Sequence, residues 1–280
     1  MRPSEFDTIR YEVADGVALV TLNQPDRGNA WSGPMAVEYR WALHRADTDP
    51  DVRVVVLTGA GRSFCVGADA EALDAIGERG GSYERERRAL PPFPEGTPPD
   101  LRHNHTAPLA LGAPVIAAIN GGCAGAGFVL ATYADLRWAA ASARFATAFA
   151  GLGLPAEYGL GWMLPRITGS ASALQLLWDP TPRTAAEAAE LGFVQHVVPD
   201  DALLEETTSF AKALARHSSP ASLRAIKRAV WVDAVGTLDD AYRRSVQDME
   251  LAMKGEDFRL GAAAVRAKRR PDFLSALPQP

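Results

Sequence analysis

The chain has 280 residues, of which 47% are hydrophobic and 22% charged, with a net charge of −5 and a pI near 5.6. This is the composition of a globular protein with ample apolar material for a core, in one large domain or two small ones. A mildly acidic chain has no bulk attraction for nucleic acid or an anionic membrane, so neither is an expected partner, and any anionic ligand must be met by a local basic patch. The two cysteines, Cys65 and Cys123, lie far apart, and with the five histidines they show no metal-ligand spacing, so no metal is expected and both thiols are read as reduced. The first ten residues, MRPSEFDTIR, lack the apolar stretch of a secretory signal, and no apolar run approaches the ~20 residues of a membrane span. A soluble, cytoplasmic protein is the expectation.

Apolar runs alternate with helical patterns along the first 200 residues. Residues 17–23 (VALVTLN) read as a strand, and 52–59 (VRVVVLTG) as a strand covered on both faces. Residues 114–120 (PVIAAIN) give a third, and 136–140 and 193–199 (FVQHVVP) two shorter ones. Helical patterns fall at 33–46, 69–76, 127–133 and 171–178. Strand followed by helix predicts an α/β layer with parallel strands. After residue 200 the strand signals stop. Residues 201–216, 220–232, 238–253 and 257–268 are helical in pattern, with Ser219-Pro220 placed as an N-cap and first helical residue. The expected division is an α/β core over 1–200 and a helical region over 201–280.

Residues 78–114 differ, being dense in proline, glycine and charge. They read as a mobile loop with one short helix near 83–89, placed to act as a flap on the substrate side. The loop carries His103 and His105, each a possible proton carrier or merely a solvated side chain.

Two motifs carry chemistry. In residues 59–69 (GAGRSFCVGAD) a strand ends in a glycine-rich loop, with a helix expected from about Ala68. A helix start offers free backbone N–H groups and the positive end of the helix dipole. No Gly-Lys-Ser/Thr follows, which excludes a Walker loop. Residues 120–135 (NGGCAGAGFVLATYAD) repeat the arrangement, with small residues that permit close backbone approach. Two such loops suggest two converging N–H donors, the requirement of an oxyanion hole.

In these two phrases the chain resembles the crotonase (enoyl-CoA hydratase/isomerase) superfamily, as it does in 27–30 (RGNA), 162–169 (WMLPRITG), 184–199 (TAAEAAELGFVQHVVP), 219–227 (SPASLRAIK) and 267–273 (AKRRPDF). The resemblance implies a spiral of ββα units with a helical C-terminal region that trimerises, and hence a homotrimer or hexamer. It implies an acyl-CoA substrate, with coenzyme A entering as part of the substrate and no separate cofactor. The thioester carbonyl would sit between the N–H groups of Ala68 and Ala126, where many relatives have glycine at the second position. Arg27, Asn29, Ala30 and Gly67 would border the coenzyme A path, with Gly125 beside the second donor. Lys268 and Arg269 would reach the phosphates from a neighbouring subunit, or else form a solvated basic run. Asp69 adjoins the first donor and reads either as a contact or as a residue facing the helix dipole.

The chain departs from the family where hydratases carry two glutamates. Those positions are Val129, six residues before Asp135, and Phe149, fourteen after it. Neither side chain can move a proton, and both are expected as pocket walls. Glu157, in LPAEYG, stands near where some family isomerases carry a catalytic glutamate and is the candidate acid/base, with Tyr158 as a further wall. The expected reaction is double-bond isomerisation or a related proton transfer. The alternatives are another crotonase reaction (atypical hydration, hydrolysis or C–C cleavage) or a non-catalytic acyl-CoA binder.

Overall fold

The computed structural model describes residues 1–68, 78, 89–233 and 236–274. Among the described residues, ten strands form two sheets. The larger has the order β1 (Ile9–Ala14), β2 (Val17–Leu22), β3 (Val54–Gly59), β5 (Val115–Ile119), β7 (Leu136–Ala140), β10 (His196–Val198). The smaller has the order β4 (Ser63–Cys65), β6 (Gly122–Ala124), β8 (Arg144–Ala146), β9 (Arg183–Thr184). Among the described strands, β1–β2 and β8–β9 pair antiparallel and the other pairs are parallel. Three successive passes of chain each lay one long strand in the large sheet and then one short strand in the small one: β3 then β4, β5 then β6, β7 then β8. This is a crotonase-like spiral.

The helices are α1 (Gly33–Thr48), α2 (Ala107–Ala110), α3 (Ala126–Tyr133), α4 (Leu160–Thr168), α5 (Ser170–Trp178), α6 (Ala185–Glu190), α7 (Leu203–His217), α8 (Pro220–Trp231), α9 (Leu238–Lys254) and α10 (Glu256–Arg266). Every residue of β3 and β5 is buried, as their unbroken apolar runs require. Helix α7 packs against β2, β3, β5 and β7, and α1 against β1 and β2. Helix α1 starts at Ser32, whose hydroxyl accepts from Met35 N, with a proline in the first turn. The last strand ends at Val198, and the described chain beyond it is helical. No helix among the described residues is long and apolar enough to cross a membrane.

Two buried charges tie the layers together. Arg137 on β7 donates to the carbonyls of Ala131 and Ala134 at the end of α3, and to that of Phe193. It thereby satisfies carbonyls that the helix leaves open. Asp135 accepts from Val115 N at 2.7 Å, from Trp231 Nε1 at 2.8 Å and from Lys227 Nζ at 2.6 Å. Lys227 also donates to the Ala113 carbonyl. Asp135 therefore clamps α8 of the helical region onto the starts of β5 and β7.

Helix α9 buries none of its residues, and Leu238, Tyr242, Met249, Leu251 and Met253 are all exposed on it. The helix expected at 69–76 and the short one near 83–89 lie outside the described residues, apart from Ala89. The rest of the loop over 89–114 is anchored rather than free. Arg40 reaches the Pro91 carbonyl and covers the Phe93 ring, Trp41 Nε1 donates to the Ala89 carbonyl, and Ala107, Leu109 and Leu111 are buried. Apolar residues between the prolines pull this segment onto the body, against its loop-like composition.

The Asp135 clamp should dominate a surface pair of similar geometry. Asp135→Ala leaves the Lys227 ammonium buried and unpaired, and should cost about 3–5 kcal/mol. Lys212→Ala removes an exposed bridge to Asp15 and should cost at most about 1 kcal/mol. Urea unfolding of the two variants checks the difference.

Candidate functional site

The two glycine-rich loops interlock. Parallel pairing of β4 with β6 sets Cys65 opposite Cys123, and α3 starts two residues after β6. A methyl group placed on Gly127 would lie 2.0 Å from the Cys65 carbonyl oxygen, so α3 rests directly on β4 only because residue 127 has no side chain. Gly67 has φ +84°, and a methyl there would lie 2.9 Å from Ala124 O and 3.3 Å from Ala126 N. The peptide before Ala68 is thus packed beside the first turn of α3.

Two asparagines hold the loops in place. Asn29 is fully buried; its Nδ2 donates to the carbonyls of Ala60 and Ser63, and its Oδ1 accepts from Gln24 N. Asn120 receives Gly59 N and donates to Gly61 and Ser63. Asn29 was expected to border the coenzyme A path; instead its amide is spent on backbone, which makes it part of the scaffold. Ala30 is buried too, whereas Arg27 is exposed at the end of a short turn.

The directions of two N–H groups follow from peptide planarity. The Gly67 carbonyl accepts from Trp31 N at 2.8 Å, so the Ala68 N–H across that trans peptide points the opposite way. The Gly125 carbonyl accepts from Val129 N at 3.1 Å inside α3, so the Ala126 N–H points out of the helix start. Gly125 is pinned in turn by donating to the Ala146 carbonyl. Ala68, Gly125 and Ala126 are half-buried. Asp69 lies outside the described residues.

Helix α3 runs from this point to Tyr133, seven residues or about 10 Å away. There the Tyr133 hydroxyl donates to the Tyr158 carbonyl, tucked beneath Gly159, where a methyl would lie 2.7 Å from it. Burial pushes the Tyr133 hydroxyl up to about 12, so it stays a donor at neutral pH. Tyr133, Tyr158, Gly159, Trp162, Trp231, His103 and His105 border a cavity of about 570 Å³, a size typical of small-molecule sites. Glu157 is half-buried and directly precedes Tyr158 in the chain, without itself lining the cavity, and its carbonyl accepts from Leu160 N at the start of α4. The His105 ring lies tilted against Tyr158, with centroids 3.9 Å apart, and approaches Trp31 at 5.8 Å. An aromatic row therefore runs from the Ala68 loop to the neighbour of Glu157.

Val129 and Phe149 are core residues, 0% and 3% exposed, and neither is among the described residues lining this cavity. Lys268 and Arg269 are exposed after α10. Cys65 and Cys123 are buried, and burial raises the Cys65 thiol to about 12 and Cys123 further above its usual range, so neither is a nucleophile. No group able to hold a metal ion occurs among the described residues. Sequence reasoning missed the locking role of Asn29 and Asn120. Asparagine beside glycine signals a turn, but not which carbonyls its amide will meet.

This architecture matches known proteins along the chain. Residues 12–276 fit the enoyl-CoA hydratase/isomerase family model. The chain is 35% identical to the 1,2-epoxyphenylacetyl-CoA isomerase of Escherichia coli, over 96% of this chain and 98% of that one. It is 37% identical to a probable enoyl-CoA hydratase of Rhodobacter capsulatus, over 96% and 98%. A crystal structure of an enoyl-CoA hydratase/isomerase from Mycobacterium abscessus superposes with a TM-score of 0.82 at 32% identity, over 95% of this chain and 98% of that one. The chain belongs to the enoyl-CoA hydratase/isomerase family, the crotonase superfamily, whose members act on acyl-CoA thioesters.

The interlock makes a sharp contrast between two glycines. Gly127→Ala drives a methyl into backbone and should lower stability by about 3 kcal/mol or more. Gly161 in α4 has open space around it, and Gly161→Ala should be neutral or stabilise by up to about 1 kcal/mol. Thermal unfolding of the pair reads this out.

Proposed function

We propose that the protein is a coenzyme A thioester isomerase that moves a double bond by proton transfer. The thioester oxygen is held by the Ala68 and Ala126 N–H groups, and Glu157 carries the proton. The observation that supports this most is the distribution of acid groups. Positions 129 and 149 hold buried Val and Phe, whereas Glu157 is a half-buried carboxylate directly before Tyr158, which lines the aromatic cavity. Hydration needs a positioned water and two proton-handling groups. Migration of a double bond needs one carboxylate: it takes the α-proton of a 3-enoyl thioester and returns a proton at C4. The negative charge rests meanwhile on the thioester oxygen of a dienolate, facing the two amides. One relative is named as an isomerase of a coenzyme A thioester, which supports this choice, and others are named as probable enoyl-CoA hydratases.

Coenzyme A would approach past Arg27 and Gly67, with Lys268 and Arg269 available to its phosphates. The exposed apolar side of α9 is best covered by further copies of the chain, as a trimer or a dimer of trimers.

Two variants test the proposal. Glu157→Gln is nearly isosteric and deletes the base. Migration of the double bond in a 3-enoyl-CoA, followed by absorbance, should fall about 10²–10⁴-fold with affinity for the thioester kept. Equal activity would remove Glu157 from the mechanism. Ala126→Pro deletes one N–H at the first position of α3, where proline is tolerated, so the fold should survive while kcat falls about 10²–10³-fold. Full activity in a folded Ala126→Pro would remove that donor.

A further inference from the structure

Glu157 opens a tight turn that the residues following it do not favour. Its carbonyl accepts from Leu160 N at 3.0 Å, and the two residues between them have positive φ, +49° at Tyr158 and +80° at Gly159. This is the pattern of a type I′ turn, whose preferred central pair is asparagine or aspartate followed by glycine. Gly159 meets the requirement. Tyrosine before it does not, because a bulky side chain resists left-handed backbone. A residue in such a conformation persists where its surroundings hold it there. Tyr133 supplies that hold. Its hydroxyl donates to the Tyr158 carbonyl and fills the space under Gly159, where a Cβ would lie 2.7 Å from it. The Tyr158 ring is held separately, against His105.

Resting on the reading of Glu157 as the base, we infer that Tyr133 is a positioning residue: its hydroxyl locks the Glu157–Leu160 turn and so fixes the carboxylate relative to the oxyanion donor at the other end of α3. Ala126 is the first residue of that helix and Tyr133 the last. The helix is buried from Gly127 to Tyr133, and Arg137 ties down the carbonyls of Ala131 and Ala134 at its end. One fixed element therefore carries the Ala126 N–H at its start and the clamp on the Glu157 turn at its end. Proton transfer depends on such alignment, since a displacement of about 1 Å can cost about 10²-fold in rate. Burial raises the Tyr133 hydroxyl to about 12, which suits a fixed donor rather than a carrier of protons at neutral pH.

The test measures double-bond migration in a 3-enoyl-CoA for the wild type, Tyr133→Phe, Glu157→Gln and the double variant, with dissociation constants for a saturated acyl-CoA beside them. Tyr133→Phe keeps the ring and deletes the hydroxyl. Its kcat per folded protein should fall about 10–10²-fold, with thioester affinity changed by no more than about twofold. In the Glu157→Gln background there is no base to aim, so removing the hydroxyl should change the residual rate by no more than about twofold. Tyr133→Leu, which also lacks the hydroxyl, serves if the Phe variant does not fold. An unchanged kcat in Tyr133→Phe, a loss confined to affinity, or an equal loss in both backgrounds would each overturn the inference, the last being the result for a tyrosine that only supports the fold. If the wild type moves no double bond, or Glu157→Gln moves it as fast as the wild type, the reading of Glu157 fails and this inference falls with it. Activity that depends on Glu157 but not on the Tyr133 hydroxyl removes this inference alone.

Discussion

The site depends on one close approach, that of the first turn of α3 to the backbone of β4. Gly127 lies so near the Cys65 carbonyl that even a methyl group cannot be admitted. This contact seats the Gly125–Ala126 peptide beside Gly67, and the other features of the site support it. Asn29 and Asn120 converge on the Ser63 carbonyl and fix the turn that delivers β4. The Trp31 N–H takes the Gly67 carbonyl and so turns the Ala68 N–H outward. Backbone groups positioned by other backbone groups need no reorganisation when charge develops nearby, which makes such an arrangement suited to an enolate oxygen.

The central strands of the large sheet were legible in the sequence because they are mostly buried and read as apolar runs, whereas the largely exposed β1 was not. Residues 17–23, 52–59, 114–120 and 136–140 correspond to β2, β3, β5 and β7 with shifts of at most two residues at an end. The small sheet was not legible. Its strands are two or three residues long, too short for any period to register. Helix α4 was read only as a family phrase, since Pro165 lies inside it and Gly161 in its first turn.

At the site, both glycine-rich loops were legible because each follows a buried strand. The burial of Asn29, Val129 and Phe149 was not, because it is decided by tertiary packing. The amide of Asn29 looks free in a sequence and is fully used in the fold. His105 shows the reverse: within a proline-rich loop it reads as one more surface imidazole, yet the segment folds back and lays it against Tyr158. Burial and partner count are three-dimensional properties, set by residues distant in the sequence.

In the proposed reaction the paired amides stabilise an enolate while the Glu157 carboxylate removes the α-proton. The most direct measurement is exchange of the α-hydrogens of a bound saturated acyl-CoA in deuterium oxide, followed by mass spectrometry. This substrate has no double bond to move and can only form the enolate. Deuterium should enter at the α-carbon with the wild type and far more slowly with Glu157→Gln. A wild-type protein that binds the thioester tightly and catalyses no exchange would contradict the account and leave a binder of acyl-CoA in its place.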